Sequence, residues 1–326
     1  MYGFYSDRIW VGKQFLKGRA MDISIVIPVY GCPSALVPLY DKLTSVLGGM
    51  GVTYEIVMVD DCDKMNSWEE VQKVALKDER VKAIHFTKNF GQGCAITAGV
   101  RQAQGDWIIT MDCDLQDNPD NIPDLYAKAK EGYDVVFVRR RQRKESFFVR
   151  LFAKWYHDLL CLLSGVEFDY DLATYLIASR RASDHYIASK DRGRDFGVFL
   201  MWLGFKHTFV EYEQERRYEG KSSFTFIKKW KTAVGIISTY SNRPLYGSIW
   251  VGVFSAVFSF IYIIYALIQY FVYDANPEGW TTVAAALFFF GGAILSTLGI
   301  IGIYLGNVFD MSKDRPLYAI QESINC

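Results

Sequence analysis

The run YEIVMVDD, Tyr54 to Asp61, decides the fold. Its apolar residues are nearly continuous where a half-exposed strand would alternate, so it reads as a strand buried on both faces that ends in two acids. ISIVIPVY (Ile23 to Tyr30) has the same character, and KAIHF (Lys82 to Phe86) and DWIITMD (Asp106 to Asp112) supply two more strands. Helical patterns lie between them. One of these helices has a start signal in SWEE, where Ser67 and Glu70 predict a capping box. The alternation βαβαβαβ predicts an α/β domain with a mostly parallel sheet, whose ligands sit at the carboxyl ends of the strands. Asp60, Asp61, Asp112 and Asp114 all fall on that edge.

The second acidic stretch, MDCDLQD (Met111 to Asp117), places three aspartates and a glutamine within six residues of a buried strand. Crowded carboxylates repel one another and resist burial unless a cation or a hydrogen-bond network compensates them. A dinucleotide fold shares this architecture, but its glycine fingerprint is missing. The nearest stretch, GQGCAI (Gly91 to Ile96), has Ile96 in place of the third glycine and does not follow the first strand. The DxD pair Asp112 and Asp114 instead suits a hard divalent ion, Mg²⁺ or Mn²⁺, that shares its oxygen ligands between carboxylates and a diphosphate.

The chain has 326 residues, of which 51% are hydrophobic and 16% aromatic, which exceeds the needs of one core. The surplus is concentrated. No charged residue occurs between Arg243 and Asp274 or between Glu278 and Asp310. Each interval is longer than the roughly 20 apolar residues that cross a bilayer, which predicts two transmembrane helices over 245–272 and 280–306. Arg243, Lys313 and Arg315 flank the spans while the loop DANPEG between them has no Lys or Arg, so both termini and the soluble part are expected on the cytoplasmic side. The net charge of zero hides basic clusters at 139–144, 190–194 and 228–231, which suit anionic head groups or phosphates. After Ser146, Phe148, Leu151, Phe152, Trp155 and Leu159 recur at helical spacing beside Arg150 and Lys154. That pattern fits a helix in the membrane interface and equally an amphipathic core helix. The six cysteines form no CxxC and no metal-like spacing. Neither a zinc site nor a disulfide is expected, and a reduced cytosolic domain fits. Residues 1–20 show no cleavable signal and read as an accessory extension.

In order along the chain, SIVIPVY, YEIVMVDD, KNFGQGCAITAG, GDWIITMDCDLQD, GYDVVFVRRR, KESFF, SRR, WLGFK, RYEGKSSF and RPLY, followed by two spans, resemble the polyprenyl-phosphate glycosyltransferases of glycosyltransferase family two. That group includes dolichol-phosphate mannose synthases and bactoprenol glucosyltransferases. The resemblance covers roughly residues 22 to 320. It implies a GT-A fold at the cytoplasmic face of a membrane, most simply the bacterial inner membrane, transferring a sugar with inversion from a UDP- or GDP-sugar to a polyprenyl phosphate with Mg²⁺ or Mn²⁺. The implied domains are an extension (1–21), a nucleotide-sugar-binding core (22–145), an acceptor region with interfacial helices (146–243), two spans (244–309) and a cytoplasmic tail (310–326). Nucleic acid is not expected as a partner, and homo-oligomerisation stays open.

The same resemblance assigns residues. Pro28, Tyr30, Asp60, Asp61 and Asp112 match positions that hold the nucleotide sugar, and Asp112, Asp114 and Gln116 match the metal and diphosphate motif. Arg139, Arg140, Arg141, Arg143, Ser146 and Ser222 match the acceptor-phosphate side. Asp114, Arg140, Arg143 and Arg217 are the implied catalytic set. Three positions depart from the common pattern: Gly31 and Cys32 follow PVY, Cys62 and Asp63 follow VDD, and Thr174 to Leu176 stand where GDFR is common. Two other readings stay open. One is transfer to a hydroxyl of a lipid-linked glycan or polysaccharide, since QERRY (Gln214 to Tyr218) is close to the QxxRW of processive synthases. The other is a membrane-tethered nucleotide-sugar sensor without turnover.

Overall fold

The computed structural model describes residues 21–140, 158–159, 161–163, 172–189, 195–212, 234–235, 237–238, 241–273, 279–313 and 315–326. These fall into two compact units. The first draws on Met1–Ser146, Phe168–Ser223 and Pro316–Cys326, the second on Phe147–Glu167 and Phe224–Arg315.

The first unit is built on strands β1 (Ile23–Val29), β2 (Tyr54–Asp60), β3 (Val81–Phe86), β4 (Trp107–Thr110), β5 (Val135–Arg140), β6 (Leu172–Ser179), β7 (His207–Tyr212) and β8 (Ile320–Ile324). They form one mixed sheet in the order β7-β5-β6-β4-β1-β2-β3-β8. The four strands read from the sequence are mutually parallel, in the order β4-β1-β2-β3. All seven residues of β1 and all seven of β2 are buried, as continuous apolar runs require when helices cover both faces. The antiparallel pairs are β4 with β6, β6 with β5, and β3 with β8.

Helices α1 (Pro33–Gly49), α2 (Ser67–Lys77) and α3 (Gln92–Gln102) connect the parallel strands. Helix α1 buries Leu36, Leu39, Tyr40, Leu43 and Leu47, the stripe expected at three- and four-residue spacing. Helix α3 lies so close to the sheet that a Cβ on Gly99 would come within 2.3 Å of Val26 Cγ1. Farther along the chain are α4 (Ile122–Lys130), α5 (Arg180–Ala188) and α6 (Phe196–Trp202).

The capping box predicted at Ser67 and Glu70 does not form. Glu70 pairs with Lys73, and Asp63 accepts from Ser67 N (3.1 Å) and from the Ser67 hydroxyl. A carboxylate four residues upstream reaches the first turn because Asn66 takes a left-handed conformation (φ 59°) that folds the lead-in back.

The tail after the apolar helices is the largest departure from expectation. No strand is expected from the sequence within the tail (310–326), yet β8 pairs with the edge strand β3. Asn325 Nδ2 also donates to Ala75 O (2.8 Å) and Val81 O (2.9 Å), and Tyr318 stacks on Phe86 at 5.0 Å. The added strand covers an edge that would otherwise expose unpaired backbone groups.

The second unit contains α7 (Arg243–Tyr273) and α8 (Trp280–Ser312). Among the described residues two helices are therefore long and apolar enough to cross a membrane, with windows Arg243–Tyr262 and Phe289–Ser312 of mean hydropathy 1.6 and 1.8, neither of them buried. Arg243 Nη1 donates to Leu162 O, and Tyr304 Oη donates to Ser241 O at 2.6 Å.

Candidate active site

The parallel strands set the location of the site. From β1 the chain moves outward to β2 and β3, then returns to place β4 on the other side of β1. The carboxyl ends of β1 and β4 thus flank the switch point, where open α/β sheets leave a crevice. Tyr30, Gly31 and Cys32 follow β1 and Asp112, Cys113 and Asp114 follow β4, so the two loops face one another across it.

Cys32 and Cys113 are joined by a disulfide. This corrects the expectation of free thiols and removes the argument for a reduced compartment that rested on it. The two residues are 81 positions apart, a separation that no spacing rule reads, and they meet because β1 and β4 are adjacent and each cysteine lies three residues beyond its strand. Cys62 and Cys94 are free and half-buried, and burial raises the Cys94 thiol.

On the β4 side, Asp117 is buried and its Oδ2 accepts from Asp112 N at 3.1 Å, while Asp114 Oδ1 accepts from Gln116 N at 3.2 Å. Leu115 takes φ 60°, the left-handed turn needed to fold the acidic loop onto itself. Gln92 at the start of α3 donates to Asp112 Oδ1 at 2.8 Å. Asp112, Asp114 and Gln116 are half-buried oxygen-bearing side chains. Among the described residues no group of three or more His, Cys, Asp or Glu side chains is placed to enclose an ion. An all-oxygen, incomplete donor set fits a hard divalent cation whose coordination is finished by a bound diphosphate, and does not fit a resident cage.

On the β2 side, the aspartates are more deeply engaged than the sequence reading foresaw. Asp61 Oδ1 accepts from Phe90 N (2.6 Å) and Oδ2 from Gly91 N (2.8 Å), which ties the loop before α3 to the end of β2. Gly91 has φ 95°, so this tie uses a conformation that a side chain would resist. Asp60 Oδ2 lies 2.7 Å from His85 Nδ1 and 3.2 Å from Cys62 N. Burial pushes both carboxyls up from their ordinary range, and these hydrogen bonds pull partly back.

Asp63, which replaces the commoner serine, accepts from Gly31 N, Met65 N, Ser67 N and Ser67 Oγ. It knits the β1 loop to the β2 loop. Burial alone would raise its carboxyl, but the four donors together hold it below its ordinary value.

The other residues singled out by sequence divide cleanly. Tyr30 is 52% exposed at the crevice, whereas Pro28 is buried inside β1 opposite Val59. Met111 N donates to Val26 O and Asp61 N to Val29 O, so even-numbered residues of β1 face β4. Pro28 therefore turns its donorless nitrogen toward β4 beyond that strand's last pair, where no ladder bond is lost. Arg139 sits in β5 with its guanidinium 4.6 Å from the Phe209 ring and 3.7 Å from Glu211, and Arg140 pairs through its backbone with Tyr212. Thr174 O accepts from Thr110 Oγ1 at 2.6 Å, and the β4–β6 register carried two residues further sets Thr174 opposite Asp112. Arg141, Arg143, Ser146, Arg217 and Ser222 lie outside the described residues, as do residues 1–20, the basic clusters at 190–194 and 228–231 and most of the helix predicted after Ser146.

Comparison with known proteins agrees with this geometry. Residues 24–197 match the family Glycosyl transferase family 2. The uncharacterized glycosyltransferase YkcC of Bacillus subtilis (strain 168) is 34% identical over 94% of this chain and 95% of its own. The undecaprenyl-phosphate 4-deoxy-4-formamido-L-arabinose transferase of Proteus mirabilis (strain HI4320) is 33% identical over 93% and 94%. The SfII prophage-derived bactoprenol glucosyl transferase of Shigella flexneri is 30% identical over 93% and 98%. With a GT-A-like sheet, an acidic loop at its switch point and relatives that match from end to end, the chain is a glycosyltransferase and belongs to glycosyl transferase family 2.

Proposed function

We propose that this enzyme transfers a sugar, with inversion, from a UDP- or GDP-sugar to a polyprenyl phosphate, most simply undecaprenyl phosphate, at the cytoplasmic face of a bacterial inner membrane, for modification of envelope glycans. The observation that carries this reading is the extent of similarity. The relatives named for bactoprenol and undecaprenyl phosphate match over 93% of this chain, through the crevice and both apolar helices.

In this reading the donor's nucleoside lies along Tyr30, Asp60 and Asp61, and its diphosphate faces Asp112, Asp114 and Gln116. These last three would hold Mg²⁺ or Mn²⁺, which when bound neutralises charge on the departing diphosphate. The acceptor's phosphate is gripped by Arg140, Arg143 and Arg217, with Arg139, Arg141, Ser146 and Ser222 around them, because guanidinium forks match phosphate oxygens. A phosphate oxygen forms the new bond to the anomeric carbon as the bond to the diphosphate oxygen breaks on the opposite side. No base is needed. A phosphate monoester has its second pKa near 6 and is already mostly dianionic at neutral pH, so alignment and leaving-group stabilisation suffice.

The returning tail supports the two-span topology. Phe168–Ser223, which precede α7, and Pro316–Cys326, which follow α8, belong to the same compact unit, with β8 paired on β3. Two crossings bring the chain back to the side it left, which agrees with the basic flanks and puts the catalytic unit and C-terminus on one side.

A screen of labelled UDP- and GDP-sugars in membranes, with and without added polyprenyl phosphate and with and without a chelator, tests the reading. Label entering lipid only with the acceptor and with the divalent ion is the expected result. Turnover indifferent to both additions would remove the proposal.

A further inference from the structure

The donor side contains a feature outside the motifs read from the sequence. Strand register aligns Val29, Asp60, His85 and Glu322 in one row across β1, β2, β3 and β8. Along this row His85 Nδ1 meets Asp60 Oδ2 at 2.7 Å. The imidazole is sandwiched from one side by Trp68, with ring centroids 4.8 Å apart and planes 19° from parallel. Trp68 Nε1 in turn donates to Glu322 Oε2 at 3.3 Å, and Gln72 Nε2 donates to Glu322 Oε1 at 3.3 Å. The tail strand that returns from the apolar helices therefore fixes the indole, the indole fixes the imidazole, and the imidazole fixes Asp60.

Asp60 needs such a partner. It is only 1% exposed, and its Oδ1 has no hydrogen-bond partner among the described residues. A buried carboxylate served only by Cys62 N at 3.2 Å would take up a proton or turn away. In the tautomer that donates through Nδ1, His85 occupies Oδ2 and leaves Oδ1 as the atom to accept from an incoming group.

We propose that His85 is a positioning residue for the donor: through Asp60, and held by Trp68 and the C-terminal strand, it orients the carboxylate that receives an N–H or O–H of the nucleoside. The proposal rests on the donor reading of the crevice given above. It makes residues 316–326 part of the nucleotide site although they follow the apolar helices in sequence. His85 touches no reacting atom and is not a catalytic residue.

The test is calorimetric binding of UDP and of GDP, each with Mg²⁺, to the full-length protein in detergent, with melting temperature measured on the same samples. His85→Phe keeps the stack on Trp68 but loses the donor to Asp60, and is expected to weaken the nucleotide that the wild type binds by about tenfold or more, the scale of a lost hydrogen bond to a charged group. His85→Asn places an amide N–H close to the position of Nδ1 and is expected to restore affinity to within about threefold of wild type. A merely structural role would make the two variants follow their melting temperatures. If His85→Phe does not fold, Glu322→Ala reads the relay from its exposed end, with an expected loss of about threefold from one weakened hydrogen bond. Wild-type affinity in His85→Phe, or in Glu322→Ala where that stands in, overturns the inference, as does equal weakness in His85→Phe and His85→Asn. Failure of the wild type to bind either nucleotide overturns the donor reading itself, and this inference with it.

Discussion

The two walls of the crevice are held in different ways. On the β1–β4 wall the loops are joined covalently by Cys32–Cys113, with Cys113 between the two aspartates of the acidic motif. On the β2–β3 wall, Asp60 and Asp61 are held by hydrogen bonds alone, from His85, Cys62, Phe90 and Gly91, with the tail strand behind them. Both walls carry their chemistry on residues close together in sequence and take much of their support from residues 20 to 81 positions away. Chemistry is local, and its rigidity is not.

That contrast can be broken at either wall. Removing the covalent tie, by a dithiol or by Cys32→Ser, should lower stability substantially, since closing a loop across a separation of 81 residues is worth at most roughly 4.5 kcal/mol by chain entropy. Denaturant melts with and without reductant check this, and coincident melts would show that the loops are pinned without the bond. Asp114→Asn should leave the melt unchanged but cut turnover by about 10²-fold, or roughly 2.7 kcal/mol, through lost stabilisation of the leaving group. Near-normal turnover at saturating metal would remove Asp114 from that role.

Gly99 sharpens the comparison from beneath, because α3 carries Gln92, which reaches Asp112, and follows the loop tied to Asp61. Gly99→Ala forces the helix off Val26 and should cost about 1–3 kcal/mol. If the crevice depends on that close approach, nucleotide affinity falls as well. A variant as stable as the wild type would contradict the close approach, and a destabilised one with unchanged affinity would contradict its link to the crevice.

Acid should separate nucleotide binding from folding. Asp60 and Asp61 are raised by burial, so they take protons above the ordinary carboxylate value of about 3.9. A raised carboxyl binds its proton more tightly in the folded state, so this step costs nucleotide affinity without unfolding the chain. Asp63 is lowered, so its contribution to stability is fully present above the ordinary value and is lost as pH falls below it. Nucleotide affinity is therefore expected to decline on acidification before the fold does. Loss of both at the same pH would contradict the assignment.

The smallest effect is expected at Thr174, which lies two residues beyond the last β4–β6 pair and whose carbonyl accepts from Thr110 Oγ1. Thr174→Val should keep turnover within about tenfold, because a dianionic acceptor needs no base, whereas removing a true general base costs 10²- to 10⁴-fold. A thousandfold loss with both substrates still bound would assign chemistry to Thr174.

How much of this was legible in the sequence follows the same division. The four parallel strands, their acidic ends and the two long apolar helices were readable because continuous apolar runs and charge-free intervals are local signals. The order β4-β1-β2-β3 was not, because alternation alone does not say on which side of β1 the fourth strand returns. The disulfide was missed because neither cysteine has a partner at a recognisable spacing. Strand β8 was missed because five residues, Ile320 to Ile324, leave four largely exposed side chains and carry little apolar pattern. Asp63 was noticed only as a departure from a motif, although an acid four residues before Ser67 was a readable capping candidate. His85 gave no signal, since a single histidine in a buried strand reads as core until the register places it beside Asp60.

The account's central claim is that the acceptor oxygen belongs to a phosphate. The direct measurement is the stability of the purified lipid product, made with the labelled donor that the screen selects, to mild acid. A glycosyl phosphate releases its sugar under conditions that leave an ordinary glycoside intact, and release of the label is the predicted result. A product that keeps its sugar through the same treatment would contradict the claim and assign the acceptor oxygen to a hydroxyl.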